Sequence, residues 1–133
     1  NSLLMEFNAH ENIYLTLLLN GFNSSYAKEK ASDLLNIVNL ENRALHKPSA
    51  LSGGEQQRIA IVRAISNSPE ILIADEPTGN LDKINSDKVI DELIKISNIN
   101  STSLLLATHD IAIAKKMDKI YKLNNGLLLE HKE

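Results

Sequence analysis

The run Ile71-Leu72-Ile73-Ala74, followed at once by Asp75 and Glu76, limits what this chain can fold into more than any other segment. It is short, fully apolar and does not alternate. Such a run suits a strand covered on both faces, as in a parallel sheet. A second run, Ser103 to Ala107, has the same character. Between the two, Val89, Ile90, Leu93 and Ile94 line one side of a helix that Asp82 can cap. Beyond the second run, Ile111 to Met117 reads as a short helix. Ile120 to Leu123 and Leu127 to Leu129 then flank the turn Asn124-Asn125-Gly126, which predicts a hairpin. The order strand, helix, strand, helix, hairpin indicates an α/β layer structure.

The residues before this block read differently. Ala27, Ala31, Leu34, Leu35 and Val38 recur at helical spacing, so a helix is expected from about Ser24 to Val38, with Asn23, Ser24 and Ser25 as candidate caps. An earlier helix is expected around Ala9 to Leu19. Lys47-Pro48-Ser49 interrupts the pattern. Ser52 and Glu55 then have the S-x-x-E spacing of a capping box, which predicts a helix from Gly53 to about Ser66. The chain therefore divides into a helical part, 1–66, and an alternating part, 67–133, with no low-complexity linker between them.

At 133 residues, one domain or part of one is the default. The net charge is −3, and the only arginines are Arg43, Arg58 and Arg63. No basic block is present, so nothing points to a nucleic-acid partner. The absence of cysteine excludes a disulfide scaffold and thiolate metal sites. The longest apolar stretch, Ile13 to Leu19, contains Thr16 and is far too short to cross a bilayer. Work at a membrane would be done from the aqueous side, through other subunits. The chain opens on Asn1, so its first residue is not expected to mark a natural start.

Three segments could carry chemistry. Leu51-Ser52-Gly53-Gly54-Glu55-Gln56-Gln57-Arg58 is a glycine-containing turn leading into a capped helix. The same features make an anion site, because glycines admit close approach, the helix start offers free N–H groups and a positive dipole end, and Ser52 adds a hydroxyl. Asp75 and Glu76 lie at a strand's carboxyl end, where ligands sit in open α/β sheets. Asp75 could hold Mg2+ and Glu76 could polarise an attacking water. A plainly solvated strand end explains the two acids equally well. His109 follows the second strand and lies in the same layer. There it either serves as a structural hydrogen-bonder or contacts a phosphate oxygen and the attacking water.

Taken together, these segments resemble the ATP-binding subunits of ABC transporters. Leu51 to Arg58 resembles the family's signature motif and Ile71 to Glu76 its Walker B strand with the catalytic glutamate. Gly79-Asn80-Leu81-Asp82 resembles the D-loop, and Ala107-Thr108-His109-Asp110 the switch-histidine loop. Each motif alone is weakly specific, whereas four in order are highly specific. Asn12 to Leu19, Leu34 to Ser49 and Ala74 to Asp82 resemble the lipoprotein-releasing LolD type, with a MacB-like exporter ATPase or an FtsE-like cell-division ATPase as alternatives that share the run Asp75 to Asp82. The resemblance implies a P-loop NTPase-like α/β fold. Residues 1–66 would form the helical signature subdomain and 67–133 the C-terminal half of a RecA-like core.

The resemblance also implies ATP and Mg2+ as ligands, a homodimer closed head to tail around two nucleotides, and integral-membrane permease partners. It implies a peripheral position on the cytoplasmic face of the inner membrane. Leu51, Ser52, Gly53, Gly54 and Gln56 would contact the nucleotide held by the partner subunit. Asp75 would support Mg2+, Glu76 would be the general base and His109 would contact the γ-phosphate. Asn80, Leu81 and Asp82 would lie at the dimer interface. One departure stands out: no Gly-rich loop with Lys-Ser/Thr, the Walker A motif, occurs in the chain. The expectation is that the N-terminal portion of the domain lies outside it and that the chain alone turns over ATP poorly. It would leave strand edges unpaired and apolar surface open. A non-catalytic interaction fragment is the alternative of another class. DNA-maintenance ABC ATPases, which carry coiled-coil arms or basic surfaces, do not fit.

Overall fold

A computed structural model describes residues 3–79 and 81–131. In chain order the elements are α1 (Ala9–Leu19), α2 (Ser24–Ile37), α3 (Gly53–Ile65), β1 (Ile71–Asp75), α4 (Lys83–Ile99), β2 (Ser103–Ala107), α5 (Ile111–Ala114), β3 (Tyr121–Asn124) and β4 (Leu127–Glu130). Two 3-10 turns, Glu41–Arg43 and Pro48–Ala50, bridge α2 and α3.

Local chemistry sets where the helices begin. Asn8 caps α1 by accepting from Glu11 N at 2.8 Å, and the Glu11 carboxylate accepts from Asn8 N at 2.8 Å. That reciprocal box, Asn8-x-x-Glu11, was legible in the spacing and is absent from the expectations above. Asn23 caps α2 through Tyr26 N, Ser52 caps α3 through Glu55 N, and Asp82 caps α4 through Asn85 N. The expected helix Ile111 to Met117 is shorter, ending as α-helix at Ala114. Lys116 N and Met117 N reach back only three residues, to Ile113 O and Ala114 O, so the last turn tightens instead of continuing.

One hydrophobic cluster joins both parts of the chain. It holds Ile13 and Leu17 of α1, Leu34 and Leu35 of α2, Ile59, Val62 and Ile65 of α3, Leu72 of β1, and Val89, Ile90 and Leu93 of α4. Each such side chain contributes roughly 1.5–3 kcal/mol on burial. Asn12 of α1 is a polar exception, wholly buried on that helix's inner side. Its Oδ1 accepts from Leu4 N at 2.8 Å and from Arg63 Nη1 at 3.3 Å. Its Nδ2 donates to Leu4 O, Phe7 O and Asn8 O at 3.0–3.1 Å. One side chain thereby ties the segment before α1 to the far end of α3.

β1 and β2 pair in parallel, with Ile71 opposite Ser103 and Asp75 opposite Ala107. The expectation that both faces of these strands are covered is corrected. Leu72 faces the core, but Ile71, Ile73 and Leu105 are 60%, 71% and 61% exposed. The helices, α4 on β2 among them, supply one layer, and no described residue supplies a second. The two strands pair only with each other, so both outer edges lack a ladder partner among the described residues. β3 and β4 form an antiparallel hairpin in which Asn125 and Gly126 take φ values of 48° and 81°. Both central residues of a type I′ turn need that left-handed conformation, which explains the Asn-Gly pair. No described helix is long and apolar enough to cross a membrane.

Candidate functional site

Ser52 is where the chain turns into α3. Its backbone is extended (φ −65°, ψ 160°), and its hydroxyl oxygen accepts from Glu55 N at 3.3 Å. Glu55 closes the box by accepting from Ser52 N at 2.8 Å, and its other oxygen takes Arg43 Nε at 3.0 Å. The Ser52 N–H, followed by the Ser52 side chain and Arg43, holds the Glu55 carboxyl below its ordinary range. A capping hydroxyl acts here as an acceptor, so its own hydrogen can still be donated to a ligand.

The other members of this segment divide into support and surface. Leu51 is buried, and the Gln56 amide donates to Pro48 O at 2.9 Å and Leu51 O at 3.1 Å, so both brace the loop from beneath. Gly54 faces open space, whereas a Cβ on Gly53 would stand 3.3 Å from Leu81 Cδ2. The start of α3 thus meets the start of α4. Together they line a cavity of about 270 Å3 shared by Ser52, Gly53, Gly54, Leu81, Asp82 and Asn85. Asp82 faces it while capping α4, and the N–H and side-chain amide of Asn85 hold its carboxyl below the ordinary range. Asn80, expected beside these residues, lies outside the described ones.

A second cluster forms where β1 and β2 end. Asp75 closes β1 on the same open face as Ile71 and Ile73, following the strand's alternation. Glu76 extends the pairing by one bond, Glu76 N to Ala107 O at 2.9 Å, then turns sharply, with Gly79 N donating to Glu76 O at 3.1 Å. Its φ is 42°, in the left-handed region that a side-chain-bearing residue avoids. Such strain concentrates at functional sites and persists where the surroundings over-determine it. Here Glu76 Oε1 accepts from His109 N at 2.9 Å and meets His109 Nδ1 at 2.6 Å, with Thr108 Oγ1 3.5 Å from Oε2. Among the described residues, no hydrogen bond or ion pair links this cluster to Ser52, Gly53 or Gly54.

The Glu76–His109 contact shifts both groups. The His109 side chain holds the Glu76 carboxyl below 4.5, and the Glu76 side chain raises the His109 imidazole above 6.5. A depressed carboxyl contributes above its unfolded value and loses that contribution as pH falls. A raised imidazole contributes fully below its unfolded value and loses that contribution as pH rises through the higher folded one. The pair is therefore at full strength between 4.5 and 6.5. By NMR, the His109 ring is expected to titrate above 6.5, and Glu76→Gln should return its midpoint toward that value. A midpoint unmoved by the substitution would exclude the pairing in solution. Added salt should weaken the shift, because both groups are solvent-accessible.

Mg2+ is the metal to test against these residues. Among the described residues no group of three or more His, Cys, Asp or Glu side chains could hold a metal. An all-protein cage is thus not offered, but one exposed, hard carboxylate at Asp75 is. That fits Mg2+, which keeps water and takes phosphate oxygens with one or two carboxylates. The sequence reading missed Asn12, Arg43 and Thr108. Of these, only Thr108 lay inside a recognisable motif.

The profile of the ABC transporter family matches residues 1–79. A lipoprotein-releasing system ATP-binding protein LolD from Hyphomonas neptunium is 49% identical over 131 residues, covering 98% of this chain and 58% of that protein. The LolD of Roseobacter denitrificans is 51% identical over 126 residues, covering 95% and 56% respectively. The chain thus spans a little over half the length of these relatives. Among solved structures, a dimeric ATP-binding cassette in a post-hydrolysis state with ADP and phosphate superposes with a TM-score of 0.81 at 34% identity. The match covers 98% of this chain and 59% of that one. A capped, glycine-led helix, an acid-tipped parallel strand and a histidine closing on the second acid lie in an α/β fold shared with ABC cassettes, and the chain belongs to the ABC transporter family.

Proposed function

We propose that this chain is part of the ATP-hydrolysing subunit of an ABC transporter that drives lipoprotein release from the inner membrane. The observation that carries the ATPase reading is the Glu76–His109 unit at the carboxyl end of β1, next to Asp75. Glu76 acts as general base toward the attacking water. His109, once released from Glu76, donates to the γ-phosphate. Asp75 would hold Mg2+, which would supply charge neutralisation at the phosphates. Ser52, Gly53 and Gly54 present a hydroxyl and helix-start N–H groups to the nucleotide of a second subunit. Leu51 and Gln56 keep that loop in shape. Asn80, Leu81 and Asp82 form the edge where two subunits meet. Residues 1–66 act as the signature subdomain and 67–133 as part of the catalytic core.

The lipoprotein assignment rests on the LolD relatives, and with it come a homodimer, permease subunits and a peripheral site on the cytoplasmic face of the inner membrane. No Gly-rich Lys-Ser/Thr loop occurs in residues 1–133, so turnover is to be assayed in the intact subunit. The trans role of the α3 start is tested by ATP-dependent dimerisation, followed by light scattering. Gly53→Asp places a carboxylate where phosphate would bind and a side chain against Leu81. Dimerisation is expected to weaken by at least about tenfold, or 1.4 kcal/mol. Unchanged dimerisation by this variant would remove Gly53 from the interface. Reconstitution with the permease, scored by release of an acylated protein from the membrane, tests the cargo.

A further inference from the structure

Lys116 lies two residues beyond α5, and its ammonium donates to Asp87 Oδ1 at 3.0 Å and to Asp91 Oδ1 at 2.9 Å. Asp87 and Asp91 are four residues apart on α4, so they stand one above the other on a single helix face. An isolated surface ion pair contributes little. This one differs, since one cation is shared by two carboxylates fixed on the same helix and the lysine side chain is only 31% exposed.

Among the described residues α5 itself buries one side chain, Ile113, and Met117 just beyond it packs against the core. Yet α5 sets the position of His109. Its N-cap, Asp110, is the next residue; Asp110 Oδ1 accepts from Ala112 N at 2.8 Å, and Asp110 N donates to Thr108 Oγ1 at 3.1 Å. His109, whose backbone N–H and ring nitrogen meet Glu76, thus directly precedes the cap of α5. The two aspartates lie in the first half of α4, which starts after its cap Asp82, beside the Leu81 that a Cβ on Gly53 would approach.

We propose that Lys116 is a positioning residue for His109, pinning α5 to α4 through Asp87 and Asp91 so that His109 is presented to Glu76. The inference rests on the reading of Glu76 and His109 as the hydrolytic pair. Lys116 bonds to Asp87 and Asp91, not to Glu76 or His109, and so acts through α5. The charged groups facing His109 are Glu76 and Asp110.

The test compares Lys116→Ala, Lys116→Arg and Asp87→Asn in the intact subunit. Lys116→Ala should lower kcat by about five- to tenfold, a modest fraction of what a misplaced catalytic group can cost, with KM for ATP within about twofold. The NMR midpoint of His109 should move down toward 6.5 in the same variant. Lys116→Arg should restore both readouts, and Asp87→Asn, which leaves Asp91 in place, should move both part of the way. Wild-type kcat and an unmoved His109 midpoint in Lys116→Ala would overturn the proposal, as would a change confined to the melting temperature. Should Lys116→Ala fail to fold, Asp87→Asn decides by the same two readouts. Retained turnover in Glu76→Gln would instead sink the reading of Glu76 and His109 as the hydrolytic pair, so the two failures are told apart.

Discussion

Glu76→Gln in the intact subunit is expected to lower ATP turnover by about 10^2 to 10^4-fold, the usual share of a general base, while ATP affinity stays within about twofold. The amide is isosteric and can still accept from the His109 N–H, so the turn after β1 should survive. What is lost is the negative charge that pairs with the His109 ring at 2.6 Å and that, in the proposed mechanism, takes a proton from water. Single-turnover hydrolysis together with nucleotide-binding fluorescence separates the two quantities. Turnover within tenfold of the wild type would show that the proton goes elsewhere and would remove Glu76 from the proposed mechanism.

The largest stability effect is expected at Asn12. Asn12→Leu keeps the volume close but removes two acceptor and three donor contacts from a side chain with no exposure. Leu4 N and Phe7 O would each lose a partner, at about 1–3 kcal/mol for each group left unsatisfied away from water, while Leu4 O keeps Phe7 N at 3.2 Å. Arg63, whose charged form is already disfavoured by burial, would lose one acceptor. A total loss of about 3 kcal/mol is expected, read as a lower urea midpoint at unchanged slope. A loss under about 1 kcal/mol would mean that the segment before α1 is held by its apolar contacts instead. Asn12→Asp is a useful second variant, because it preserves the acceptors and removes the donors.

How far this was legible in the sequence depends on the kind of interaction. Caps and periodicity are local, so the starts of α2, α3 and α4 follow from Asn23, Ser52 and Asp82, and the hairpin from Asn125-Gly126. The four motifs placed Glu76 and His109 at neighbouring strand ends, as the register confirms. What failed concerned covering. An apolar run such as Ile71 to Ala74 carries no mark of how many layers pack on it, and here Ile73 stands open. What was missed depends on long-range geometry: Asn12 with Arg63 across 51 residues, and Lys116 with Asp87 across 29. Nothing in the spacing of those residues announces a pairing, because the fold alone brings them together.

The left-handed backbone at residue 76 has a consequence for how this protein can change over time. Glycine or asparagine would occupy that conformation more comfortably, but neither can replace the glutamate's chemistry. Fold and the proposed reaction therefore make opposing demands on one position. On the proposed mechanism, a descendant released from hydrolysis would be free to drift there toward the residue the turn prefers, and such a replacement in a sequence otherwise like this one would signal that the proposed activity had been given up.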